Sequence, residues 1–438
     1  MSDRSEPATG QQASTGALGG SSLLPLGVLS GLNLVDEFDR VAFSALSPEI
    51  RDAFGLDDTD IQLLIIVPAM MLLLLAAPIG WLADRYSRVV ISIMSAVFWG
   101  VASVATGLVP SAALLLVVRI LSGIGRNANE IVHPSLLSDL YPPASHPRVF
   151  LVHRLANPAS QLSGIAAGWL GAQLGWRWPF YLIAIPTFAL ALALLAVRDP
   201  GRRGLAERRD VVRLGVGETV RRLTAVRSLR RSWATAFALA VAAFGMFALA
   251  SLYFEQVWGY GPKGRGLVQA VIGGGWMAGV AVGGRLADRL VHGGRIADLA
   301  TLCGNAFFLF ALGGIGLAVS PADWLAVVAV AVLAMANGVW QSPYYSVLGR
   351  IAPAGLSGQA FGSAVLAYAL GGFGALPIGQ AGDRWGYRWG FVLIAGAGLA
   401  AALLARSVAP LLRADVAASL AARGPGEDPS GADLVDRA

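Results

Sequence analysis

A chain of 438 residues that is 55% hydrophobic and only 14% charged, with a mean hydropathy of +0.62, does not match soluble domains, in which about a quarter of residues carry charge. The net charge of +6 does not mark a nucleic-acid binder, because much of it resides in one cluster, and a single cysteine (Cys303) excludes an intramolecular disulfide. What remains is a multi-helix integral membrane protein, whose 54 glycines suit close helix approach in a bilayer.

Residues 1–22 are rich in Gly, Ser, Thr, Gln and Ala and lack a hydrophobic run, so a disordered cytoplasmic tail is expected rather than a cleavable signal. The first apolar stretch, Leu23 to Leu46, carries Asp36, Glu37, Asp39 and Arg40. Its apolar part before the charges is too short to cross a bilayer, which takes roughly 20 residues, so the span must run through the charges. Asn33, Asp36, Glu37 and Arg40 then form one polar stripe, which can face only a protein interior or a water-filled cavity. The alternative is a helix that ends at Val35 with the charges in a loop.

Twelve apolar segments follow one another, at 24–46, 60–82, 89–109, 112–138, 149–174, 178–197, 233–257, 267–287, 297–318, 323–348, 358–381 and 388–410. They divide into a six-helix bundle over 23–198, a basic cytoplasmic loop over 199–231, a second bundle over 232–413 and a disordered tail over 414–438. Between Arg198 and Arg231 stand eleven arginines against four acids, a juxtamembrane cluster suited to anionic lipid.

The halves repeat. Gly80-Trp81-Leu82-Ala83-Asp84-Arg85 recurs as Gly284-Arg285-Leu286-Ala287-Asp288-Arg289, and the Gly168 to Trp178 pattern recurs from Gly379 to Trp389. Six spans per half give both halves the same orientation, a parallel repeat with its site at the interface between them. The first loop is acidic, with Glu49, Asp52, Asp57, Asp58 and Asp60, whereas Arg85, Arg88, Arg148, Arg289, Arg295 and Arg350 fall on the opposite side. Positive-inside places both termini in the cytoplasm, and the plasma membrane is the expected location.

Gly80-Trp-Leu-Ala-Asp84-Arg85-Tyr-Ser-Arg88 resembles the signature between helices 2 and 3 of the major facilitator superfamily, and Arg119-x-x-Ser-Gly123-x-Gly125 resembles its helix 4 motif. The resemblance implies an all-α fold of twelve transmembrane helices in two parallel six-helix repeats. It further implies that Gly80, Asp84, Arg85 and Arg88, with Asp288 and Arg289, act as a gate between the halves; an ordinary charged turn is the other reading. Asp84 is expected at the N-terminus of the third helix, where a carboxylate meets the positive dipole end. Asp39-Arg40 followed by Ser-Ala-Leu-Ser-Pro48-Glu-Ile-Arg-Asp-Ala-Phe-Gly-Leu resembles the first helix of Spinster-type and organic-anion carriers. This chain departs from them by Asp36 and Arg126, a negative charge gained on helix 1 and a positive one on helix 4.

Helix 4 carries Arg119, Ser122, Arg126, Asn129, Glu130 and His133 at helical spacing. The helices run in opposite directions, so depth pairs Asp36 with about Arg126, and Asp39 with Arg119 or Ser122; a structural ion-pair lock and proton coupling both remain open. Helix 5 adds His153, Arg154, Asn157 and Pro158. In the second half, cavity candidates are Gln256, Trp276, Asn337, Trp340, Gln341, Tyr344 and Tyr368, which together suggest an apolar wall with a few hydrogen-bonding groups.

The sequence thus predicts secondary active transport of an amphipathic or organic, anionic small molecule. Protons are the expected coupling ion, the bilayer is a partner, and no metal or cofactor is implied. An uncoupled facilitator and a non-transporting receptor or scaffold are the alternatives. No convergent nucleophile–base set suggests an enzyme.

Overall fold

The computed structural model describes residues 22–141, 145–197, 199, 216–353 and 356–421. The expected tails over 1–21 and 422–438 and loop residues 200–215 lie outside the described residues.

Helix α1 (Leu24–Ala45) runs unbroken through Asp36, Glu37, Asp39 and Arg40, which overturns the alternative of a helix ending at Val35. The polar groups do not stop it because they are paired within the protein, as described below. A short α2 (Ser47–Phe54) ends on Gly55 in the left-handed region, and α3 (Asp58–Arg85) starts with Asp57 and Asp60 each accepting from the other's backbone N–H, at 2.7 and 3.2 Å. Helices α4 (Arg88–Leu108) and α5 (Ala112–Leu140) are capped by Ser87 and Ser111. Asp84 therefore lies in the last turn of α3 and not at the start of the third span; a serine hydroxyl, which accepts from the Val90 N–H at 3.3 Å, takes the capping role.

The fifth span is broken: α6 (His146–Ser160) and α7 (Gly164–Leu174) are separated by a 3₁₀ turn over Gln161–Ser163, next to Pro158, which removes a backbone donor. Then come α8 (Trp178–Ala193), α9 (Val216–Ala225) and α10 (Arg227–Gln256). The last two show that much of 216–231, expected as loop, is helical. The chain continues through α11 (Pro262–His292), α12 (Ala297–Val319), α13 (Asp323–Val339), α14 (Gln341–Ile351), α15 (Ser357–Phe373), α16 (Leu376–Trp385) and α17 (Tyr387–Ala421). Residues 414–421, expected as tail, extend α17 instead; Ala-rich sequence there favours helix.

Nine helical stretches among the described residues are long and apolar enough to cross a membrane. The other three expected crossings are α1, α5 and α6–α7, whose Asp36–Arg40, Arg119–Arg126 and His153–Asn157 polar groups lower their hydropathy and build the site. Exposed Trp178, Trp324, Trp385 and Trp389 all lie within two residues of a helix end on one side of the molecule, an aromatic belt at that membrane interface. We call this side, which carries the α1–α3 and α10–α11 connections, the far face. The side where α1 begins is the terminal face.

In the first half α4 packs on α5 and α8, α3 on α5, and α1 on α6 and α8; in the second, α12 and α10 pack on α17, α10 on α15, and α11 on α13. The halves meet mainly through α7 against α11 and α3 against α15 and α16. Helix α11 serves two partners through two glycine rows. A Cβ on Gly266 would lie 2.2 Å from the Gly164 carbonyl of the first half, and one on Gly279 would lie 1.9 Å from the Met335 carbonyl of α13. Larger residues at these two positions would push the backbones apart.

Candidate functional site

A cavity of about 250 Å³ lies between the halves. Its first-half wall carries three guanidiniums and one carboxylate (Arg40, Arg126, Arg154 and Glu37), together with Asn157, Gln161 and Ser44. The second-half wall is aromatic, with Phe244, Phe247, Trp276 and Tyr368, and contributes Gln269.

The charges form two tiers. Near the middle of α1, Arg126 donates from Nη2 to Glu37 Oε1 at 2.7 Å, and its Nε stands 3.4 Å from Asp36 Oδ2. Arg40 lies one helical turn from Glu37, 2.5 Å from its second oxygen, and its guanidinium sits 5.0 Å from the centre of the Phe247 ring. Nearer the far face, Arg119 donates to Asp39 Oδ2 at 2.7 Å and stacks 4.4 Å over Phe43, while Asp39 Oδ1 accepts from Ser103 at 3.1 Å. The Asp39–Arg119 side chains are only 4 and 5% exposed, off the cavity wall, whereas Arg126 remains 20% exposed within it. One tier is sealed in protein and the other borders the cavity.

The remaining first-half candidates hold the bundle together. Asn33 donates to the His153 carbonyl at 2.9 Å and to Asn157 Oδ1 at 3.0 Å, and the His133 and His153 rings meet edge to face at 5.7 Å. Asn129 is buried off the wall, and its Oδ1 has no partner among the described residues. The surroundings of Gly80 and the side chains of Asp84 and Glu130 lie outside what the structure describes.

In the second half Trp276 and Tyr368 line the cavity, but the α13–α14 group does not. These residues belong to the bundle core: Trp340 donates to Asn337 at 3.3 Å and packs on Phe307, and Tyr344 donates to the Ser232 carbonyl at 2.9 Å. Gln341, half-buried, also lies off the wall, and Gln256 is exposed at the far-face end of α10. Conversely, Ser44, Gln161, Gln269, Phe244 and Phe247 line the cavity without having stood out in the sequence. The two glutamines, polar groups in apolar stretches, were the available signal.

On the terminal face, Arg88 pairs with Asp139 of α5 and reaches the Ser135 carbonyl at 3.3 Å, and Arg85 stacks 4.1 Å over Trp81. Asp288 and Arg289 are exposed. The ion pairs that join the halves among the described residues lie at the far face instead. Arg265 of α11 pairs with Glu49 of α2 and donates to the Ala45 carbonyl at 3.1 Å; Arg51 of α2 lies 3.2 Å from Glu255 of α10. Asp383 of α16 accepts from the backbone N–H groups of Asp58 and Thr59 at 2.9 and 3.2 Å, so a carboxylate of the second half caps a helix of the first. Arg265 also donates to the Tyr260 carbonyl at 2.7 Å, and the Tyr260 hydroxyl donates to Asp323 at 3.1 Å. The acidic first loop read in the sequence as a topology signal is thus part of a seal.

The Major Facilitator Superfamily model matches residues 29–376 of the chain. Among relatives, human "Protein spinster homolog 1" is 28% identical over 207 residues, covering 46% of this chain and 39% of that protein. The zebrafish (Danio rerio) "Sphingosine-1-phosphate transporter SPNS2" is 26% identical over 190 residues, 42% of this chain and 38% of that protein. The chain therefore aligns with less than half the length of these relatives. A bacterial homolog of the human lysosomal transporter Spinster, in an inward-facing unoccupied conformation, superposes with TM-score 0.72 at 19% identity over 92% of this chain and 98% of that one. A D-xylose-proton symporter superposes with TM-score 0.69 at 16% identity over 87 and 97% of the two chains. These two structures share the fold. With the family model spanning most of the sequence and the helices long enough to cross a bilayer, the chain is a multi-pass membrane protein that belongs to the major facilitator superfamily of transporters.

Proposed function

We propose that this protein is a secondary active transporter that moves an amphipathic organic anion by alternating access, coupled to protons. The observation that carries this reading is the cavity between the halves, with three guanidiniums against one carboxylate on one wall and four aromatic rings on the other. Such a wall attracts an anionic head and accommodates an apolar body. The division into bundles over 23–198 and 232–413 with a basic loop between them belongs to the same proposal. Positive-inside makes the terminal face cytoplasmic, so a chain sealed at its far face is inward-facing in the plasma membrane.

Glu37 is the proposed proton site. It borders the cavity and is held between Arg126 and Arg40 at 2.7 and 2.5 Å. Protonation removes its claim on both arginines, and an anion can then take its place; substrate release restores the pairs. Anion affinity on this scheme rises as pH falls. Gating through Gly80, Asp84, Arg85 and Arg88, with Asp288 and Arg289 in the second half, completes the cycle. The same tight pairing favours a second reading, in which the cluster is a permanent lock and the protein is an uncoupled facilitator.

Proteoliposome uptake tests both. The probes are sphingosine-1-phosphate, lysophosphatidate and medium-chain alkanoates, with and without a pH gradient. Saturable anion flux driven by the gradient and abolished in Arg126→Gln is expected. Flux indifferent to the gradient supports the facilitator, and transport of a matched organic cation in place of the anions overturns the charge assignment.

A further inference from the structure

The wall of this cavity also carries neutral polar groups. Gln269 and Gln161 lie against its wall, 2 and 1% exposed, and the Oε1 of each has no hydrogen-bond partner among the described residues. The amide orientation of Gln269 follows from its neighbours. The Ser44 hydroxyl donates to the Phe247 carbonyl at 2.8 Å, so toward Gln269 it can only accept, and it does so from Nε2 at 3.2 Å. Oε1 is left as a free acceptor. The Trp276 Nε1–H on the same wall is buried without an acceptor. Leaving such groups unmet in low dielectric is costly, and native proteins rarely do so.

Packing holds both glutamines where they are. A Cβ on Gly273 would lie 2.5 Å from the Gln161 Cβ, and one on Gly164 would lie 2.5 Å from the Gln269 Cβ. Each glutamine thus sits in a glycine notch of the opposite half. These close approaches hold the Cβ of each glutamine at the interface between the halves.

We propose that Gln161, Gln269 and Trp276 form a subsite for a neutral hydroxyl or amino group carried on the substrate's apolar body. A hydroxyl can donate to one glutamine oxygen and accept from the indole N–H, and an amine carries a second hydrogen for the other oxygen. The proposal rests on the anion reading and narrows it: the substrate is a hydroxylated or aminated amphipathic acid rather than a plain fatty anion.

The test is calorimetric binding to the full chain in nanodiscs. The probes are unbranched alkanoates of six to twelve carbons, their ω-hydroxy counterparts, and the matching neutral alkanediols. At the best-fitting length the hydroxy acid is expected to bind about 10-fold more tightly than the alkanoate. Gln161→Met and Gln269→Met, close in shape to glutamine, should each erase that preference. Equal binding of alkanoates and hydroxy acids at every length in the wild-type chain overturns the subsite and leaves the anion reading standing; this arm needs no variant to fold. A glutamine-dependent hydroxyl preference seen with alkanediols when neither acid series binds supports the subsite and overturns the anion reading. A preference that persists in both Met variants also overturns the subsite.

Discussion

Glu37 accepts a 2.7 Å hydrogen bond from Arg126, a residue 89 positions further along the chain. The depth argument had paired Arg126 with Asp36, which lies at 3.4 Å. Two acids therefore converge on one guanidinium, and Arg40 supplies the second positive charge by contacting Glu37. The Asp36 and Arg126 departures from the Spinster-type pattern meet in space, with the negative charge gained on α1 facing the positive one gained on α5.

Removing Arg126 takes from Glu37 one of its two guanidinium partners and from Asp36 the guanidinium at 3.4 Å, and breaking a buried ion pair costs about 3–5 kcal/mol. Arg126→Gln is expected to lower the thermal midpoint and abolish the pH dependence of flux. Glu37→Gln in the same chain should restore the midpoint without restoring the pH response. Differential scanning fluorimetry and proteoliposome flux across pH measure both; a double variant no more stable than Arg126→Gln shows that the two residues are not coupled.

Asp39→Asn is expected to behave differently. Asp39 and Arg119 are enclosed, with Ser103 and Phe43 completing their contacts, and neither lines the cavity. The variant should lose stability by several kcal/mol, yet whatever protein folds should keep the wild-type pH profile. A shifted profile in folded Asp39→Asn protein would move the proton site to this tier.

On the proposed alternating-access scheme, the far-face contacts bias the equilibrium toward the sealed form. Arg265→Gln and Asp383→Asn should each raise labelling of a cysteine at Ile65, in the cavity wall, by an impermeant maleimide added on the far side. The background is Cys303→Ser, and the effect should be at least 3-fold. Unchanged labelling in the double variant would mean that apolar packing alone holds the seal.

Gly266→Val should act more strongly, because its side chain would collide with the Gly164 backbone at 2.2 Å. Such a chain is expected to insert normally, lose transport and leave the Ile65 cysteine open to the far side. Retained transport would show that α7 and α11 can separate without functional loss.

Orientation is checked independently. Lys263→Cys at the far face should react with an impermeant reagent on intact cells, and Arg221→Cys should not. The reverse pattern inverts the assignment.

Helix number, the parallel repeat and the continuity of α1 through its charges were legible in the residues, because bilayer thickness makes length and hydropathy decisive along a single helix. The polar stripes of helices 1 and 4 were legible for the same reason: an ionisable group in a membrane span must face protein or water. Partner choice was not. Which acid meets Arg126 depends on helix rotation and depth of a fraction of a turn, which the packing of α1 on α6 and α8 sets. The α13–α14 group was equally undecided, since only packing against neighbouring helices places Asn337, Trp340 and Tyr344 in the bundle core instead of the cavity. Glu49 read alone as a loop charge obeying topology, and its grouping with Arg51, Glu255, Arg265 and Asp383 exists only because two halves distant in sequence are brought face to face. Hydropathy acts within one helix and can be read from it; salt bridges and glycine contacts act between helices and exist only in the assembled fold.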